Sequence, residues 1–215
     1  MPDLSLVIGN KNYSSWSLRA WLILKQTGEP FQEIRIPLDT PTTQADIARY
    51  SPSARVPVLL HHSKVIWDSL AIAEYLAECF PAAGLWPLDP TARAYARCVS
   101  AEMHSGFAKL RTHMPMDLRA TYPDTGRAPG VQADIDRILQ IWQDCRERFG
   151  QVGGYLFGSF SIADAMYAPV VSRFRTYGVI LPPLQQAYAQ QIWALNSLQA
   201  WQADAISEKE IILNP

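Results

Sequence analysis

Ser14, Ser15 and Ser17 set three hydroxyls close together between Tyr13 and Arg19, at the start of a helix that follows a short apolar strand. Such a start carries unpaired backbone N–H groups and the positive end of the helix dipole, so it favours an anion. Asp68-Ser69, ahead of the apolar run Leu70-Ala71-Ile72, reads on its own as a helix cap. Ser161-Ile162-Ala163-Asp164 has the spacing of a capping box, and there the structural reading is preferred. His61 and His62 are adjacent in a turn and make no metal-ligand pattern, so no metal is expected.

The elements that must position these residues follow from periodicity. Leu4 to Ile8 is a buried strand ended by Gly9-Asn10, and Ser17 to Gln26 is a helix apolar on nearly every face, stopped by Gly28 and Pro30. Phe31 to Leu38 alternates as a strand with one polar edge, and a short helix is predicted around Ala45 to Arg49. Val56 to Leu60 and Lys64 to Trp67 form a hairpin turning at residues 61–63, after which the helix opened by Asp68-Ser69 runs to Phe80.

That order is one α/β layer with a parallel part and an antiparallel edge. Three prolines and a glycine in residues 81–90 mark a linker, and no convincing strand follows it. The domains expected are 1–80 (α/β), 81–90 (linker) and 91–215 (all-α). In the helical half, the pattern predicts one long helix from Thr91 to Leu110 or beyond, with a possible interruption at Met114-Pro115. Further helices are predicted over Val131–Phe149, Ser161–Tyr177, Leu184–Leu195 and Leu198–Ile206.

Composition narrows the partners. Nineteen basic against twenty acidic residues leave a net charge of -1, which gives no electrostatic case for nucleic acid or an anionic membrane. No apolar run is long enough to span a bilayer. The first residues lack a signal segment, and the three cysteines are far apart, so a cytoplasmic protein with reduced thiols is expected. A small-molecule partner fits this balance.

Taken together, Val56-Pro57, Asp68-Ser69-Leu70-Ala71-Ile72 and Ser161-Ile162-Ala163-Asp164, in this order and spacing, resemble the glutathione transferase family over essentially the whole chain. The resemblance implies a thioredoxin-like first domain, a helical second domain, glutathione as co-substrate and a homodimer. It implies a cis proline at Val56-Pro57, with Val56 pairing its backbone with the cysteinyl part of glutathione. It also implies Arg55 near the glycyl carboxylate and Asp68-Ser69 at the γ-glutamyl end.

Ser14-Ser15-Trp16-Ser17-Leu18-Arg19 is similar to the zeta-class motif Ser-Ser-Cys-Ser-x-Arg, which carries the catalytic serine over to Ser14, with Ser15 as the fallback donor. A hydroxyl donating to the glutathione sulfur favours the thiolate and so the nucleophile. Tyr13 is expected as a wall residue. Trp16 departs from the motif: an indole supplies neither a thiolate nor an acceptor, which weakens an isomerase reading and glutaredoxin-like chemistry. A small, apolar electrophile is expected between the domains, against Met103, His104, Phe107 and Arg111. The alternatives kept open are a zeta-like glutathione-dependent isomerase and a non-catalytic glutathione-binding protein.

Overall fold

A computed structural model describes residues 4–212. The expected domains extend beyond it at both ends, and Met1-Pro2-Asp3, on which the reading of the first residues rests, lies outside it. Four strands, β1 (Leu4–Ile8), β2 (Gln32–Arg35), β3 (Val58–His61) and β4 (Lys64–Ile66), form one sheet in the order β2-β1-β3-β4. β2 runs parallel to β1, while β3 and β4 are antiparallel to their neighbours. β1 sits centrally, which is why its residues are almost all buried.

The parallel pair needs a crossover, supplied by α1 (Ser15–Thr27). Ser17 to Leu24 of α1 are all buried, because the helix is packed against α3 (Ser69–Cys79), α7 (Ile162–Thr176) and α9 (Asn196–Ser207). Trp21 meets Trp201 of α9 edge to face at 5.3 Å. Gly28 ends α1 at φ 78°, a left-handed position that suits glycine. Between β2 and β3 lies the short α2 (Thr43–Ala48), near its expected place.

Three expectations need correction. β2 is shorter than Phe31–Leu38: the last ladder bond is Ile36 N to Ile8 O at 2.9 Å, and Pro37 has no N–H to continue it. The hairpin turn contains two residues rather than three, because His61 still pairs with Lys64 and His62 takes the positive φ of 53°. The long helix is two, α4 (Pro90–Ser105) and α5 (Ala108–His113), broken at Gly106 and Phe107, with Phe107 at φ 59°. The break is held by Arg111, whose guanidinium takes the carbonyls of Met103, His104 and Gly106 that the end of α4 leaves free.

α6 (Val131–Phe149) matches its predicted bounds, and α8 (Pro183–Trp193) and α9 lie close to theirs. The helical core centres on Trp142, fully buried between Tyr167, Phe174 and Tyr188 with ring centroids 4.8 to 6.1 Å away. Every residue of α7 except Arg175 is buried, since the helix lies between α1, α4 and α8. Asp164 fixes its start, accepting from Ser161 N, Ser161 Oγ and Leu156 N at 2.8 to 3.0 Å. Among the described residues no helix is long and apolar enough to cross a membrane.

Candidate active site

The turn before α1 is closed by two backbone bonds to Asn10 O, from Tyr13 N and Ser14 N. It leaves Ser14 as the N-cap, accepting from Ser17 N at 3.4 Å. The Ser14 hydroxyl also donates to Ser17 Oγ at 2.7 Å, and Ser17 Oγ in turn accepts from Gly9 N at 3.1 Å. Ser17 is fully buried, whereas Ser14 and Ser15 are nearly so and still line a cavity of about 550 Å³. Hydroxyl protons rotate, so this pair can reverse its bond and turn the Ser14 proton into the cavity.

A second cavity, about 480 Å³, shares Trp16, Arg55 and Val56 with the first, so the two are contiguous compartments of one cleft. Its far end is the start of α3. There Asp68 accepts from Leu70 N at 3.0 Å and Ala71 N at 3.2 Å as the N-cap, and His104 Nε2 reaches Asp68 Oδ2 at 2.9 Å. Ser69 is fully buried, lines this cavity, and its hydroxyl has no hydrogen-bond partner. The Val56–Pro57 peptide is cis.

Trp16 is the hinge of the cleft wall. Its ring carries the guanidinium of Arg19 at 4.4 Å and that of Arg111 at 4.6 Å, and it meets His104 edge to face at 5.2 Å. Arg111 and Arg173 both line the first cavity with Ser14. Burial, reinforced by the charge of Arg111, lowers Arg173 to about 9. Arg19 is pulled well down by burial and then by Arg111 and Arg173, and Arg111 is lowered by burial. The first compartment thus has Arg55, Arg111 and Arg173 in its lining together with one acidic residue, Asp39.

The cleft lies between segments that match two domain descriptions: glutathione S-transferase N-terminal domain over residues 13–79 and glutathione S-transferase C-terminal domain over residues 92–194. The chain belongs to the glutathione S-transferase family. The chain is 35% identical over 96 residues to a protein of Caenorhabditis elegans named "Probable maleylacetoacetate isomerase", an alignment covering 45% of this chain and 44% of that one. It is 25% identical over 167 residues to a "Stringent starvation protein A homolog" of Coxiella burnetii, covering 76% of each. Among solved structures, a glutathione transferase homolog from Burkholderia with bound glutathione superposes at a TM-score of 0.74 with 26% identity, covering 95% of this chain and 99% of that one.

Of the residues singled out in the sequence, the fold brings Tyr13, Ser14, Ser15, Trp16, Arg55, Val56 and Arg111 to the first cavity. Pro57, Asp68, Ser69 and His104 line the second. The Tyr13 hydroxyl accepts from Arg119 Nη2 at 2.8 Å, consistent with a tethered wall. Met103 and Phe107 lie in the hydrophobic core and line neither cavity. Ser17 and Arg19 stood in the entry motif without an assigned role, and Arg173 was not singled out. Ser17 had a signal, its three-residue spacing from Ser14 on one helix face. Arg173 had none, since it sits among Ser172, Arg175 and Thr176 at the polar end of α7.

Proposed function

We propose that the protein binds glutathione in this cleft and activates its thiol through Ser14 for attack on a small electrophile. The observation that carries the reading is the Ser14 hydroxyl, nearly buried at the start of α1, lining the cavity and oriented by Ser17. In this reading the unpaired Ser69 hydroxyl and the Ser69 backbone N–H hold the γ-glutamyl carboxylate at the positive end of α3, and Asp68 accepts from the ammonium. Val56 pairs its backbone with the cysteinyl unit, and Arg55 faces the glycyl carboxylate.

The sulfur then sits at Ser14. Ser17 turns its proton to Ser14 Oγ, and Ser14 donates to the sulfur, which favours the thiolate together with the helix dipole. A shift of ~2 units corresponds to about 2.7 kcal/mol, within reach of a hydrogen bond to a charged group plus the dipole. Ser15 is the reserve donor, lining the same cavity.

The test is ultraviolet difference absorption of bound glutathione in native protein and Ser14→Ala. Thiolate present at neutral pH in the native protein and reduced about tenfold in the variant is the expected result. Equal thiolate in both removes Ser14 from its role.

A second reading, isomerisation by reversible glutathione addition, is favoured by the relative named for maleylacetoacetate isomerase. Trp16 stands where the similar motif has its cysteine, which weakens that reading. A binding protein without catalysis is the third, and glutathione binding with no thiolate would support it. The same proposal includes the domain division 1–80, 81–90 and 91–215, a cytoplasmic location and a homodimer. Val65 and Trp67 are exposed apolar side chains that a partner subunit would cover in this reading, and sedimentation measures the oligomeric state.

A further inference from the structure

We propose that Glu208 and Arg119 are positioning residues for thiol activation: the segment that follows α9 grips the turn at residues 11–13 from behind and so fixes where Ser14 points. This deepens the glutathione reading and rests on it.

Ser14 follows a turn that belongs to neither β1 nor α1. Within that turn, Tyr13 N and Ser14 N both donate to Asn10 O. The two N–H groups between them in sequence and Asn10 go to one carboxylate from the far end of the chain: Lys11 N donates to Glu208 Oε1 at 2.7 Å and Asn12 N to Glu208 Oε2 at 3.1 Å. Lys11 O accepts from Trp201 Nε1 at 2.8 Å. The Glu208 side chain is only 7% exposed, and Arg35 stands 3.5 Å from its carboxylate. Two adjacent N–H groups on one carboxylate fix the turn in rotation, which a single bond does not.

Arg119 completes the grip. Its Nη1 donates to Glu208 O at 2.6 Å, and its Nη2 to Glu210 O and to the Tyr13 hydroxyl, both at 2.8 Å. Its backbone N donates to Asn12 Oδ1 at 3.0 Å. One guanidinium therefore ties the tail to the residue immediately before Ser14. Of the described tail residues, 208–212, none lines either compartment of the cleft. In this reading the tail acts on the sulfur only through the turn. A hydrogen bond weakens steeply as its angle and length drift, so a loosened turn costs thiolate.

The sign of the effect separates positioning from its rivals. Removing the Glu208 charge favours the thiolate by Coulomb's law alone and lowers the thiol pKa, whereas a misplaced Ser14 donor raises it. A tail that merely fastens the fold leaves the pKa where it was.

The test follows the ultraviolet absorption of bound glutathione thiolate against pH in native protein, E208Q and R119K. The amide of E208Q offers one acceptor oxygen in place of two. Its bound thiol pKa is expected to rise by about half a unit, which is about threefold less thiolate at neutral pH. An unchanged or lowered pKa overturns the inference. R119K keeps the charge and loses the fork, so a rise of the same sign is expected; should E208Q fail to fold, an unchanged pKa in R119K overturns the inference by itself. Placed in Ser14→Ala, E208Q is expected to add no further rise, and an equal rise there overturns the inference too.

Hydrogen exchange without glutathione supplies a second reading. Faster exchange at residues 11–14 of E208Q, with α6 unchanged, is expected. Exchange accelerated equally in α6 would make the tail a fastener of the fold and overturn the inference. Equal thiolate in native protein and Ser14→Ala sinks the thiol-activation reading instead, and the exchange result still decides whether the tail holds the turn.

Discussion

The starts of α3 and α7 use the same two residue types, an aspartate and a serine beside an apolar run, and reach opposite states. At α7, Asp164 is fully buried and accepts three donors, so every polar group of the cap is answered within the chain. At α3, Asp68 is more than half exposed, while the buried Ser69 hydroxyl has no partner and borders the cleft. A saturated cap holds a fold together; an unsaturated one is a site waiting for a ligand, because a buried polar group left unpaired is costly.

Removing the saturated aspartate should produce the largest effect. Asp164→Ala leaves two backbone N–H groups and one hydroxyl without their acceptor in a dry environment. At roughly 1 to 3 kcal/mol for each orphaned group, a loss of about 3 kcal/mol or more in unfolding free energy is expected, read from denaturant midpoints. A shift below about 1 kcal/mol would mean that the two caps do not differ as described.

The open cap should respond in the opposite sense. Ser69→Ala removes a hydroxyl that is already unpaired, so stability is expected to stay the same or rise slightly. Glutathione affinity should fall about tenfold, near 1.4 kcal/mol, measured by calorimetry. Loss of stability with affinity intact would make Ser69 one more structural serine and erase the contrast.

Much of this was readable in the sequence, for physical reasons that also mark where reading stopped. Strand β1 and helix α6 declare themselves through runs and periods that their own residues set. The break between α4 and α5 does not, because Phe107 takes its left-handed backbone where Arg111 gathers the end of α4. The caps were visible as caps, yet whether a cap is saturated depends on groups outside the motif, such as Leu156 N at Asp164. Arg19, Arg111 and Arg173 are gathered only by the folding that brings α1, α5 and α7 together. No local pattern reports that.

The smallest effect concerns the proton on Asp164. Burial pushes its carboxyl from 3.8 up to about 6, against the opposing pull of its hydrogen-bond donors. The folded state therefore binds this proton more tightly than the unfolded chain does, so the residue's contribution to stability grows as pH falls from about 6 towards 4 and vanishes above about 7. Between pH 7 and pH 5 the gain should be about 1 kcal/mol. Subtracting the pH profile of Asp164→Ala from that of the native protein isolates it. A difference that instead shrinks on acidification would show that the three donors outweigh burial and hold the carboxylate charged, and the cap of α7 would then be an anion site already filled by its own side chain.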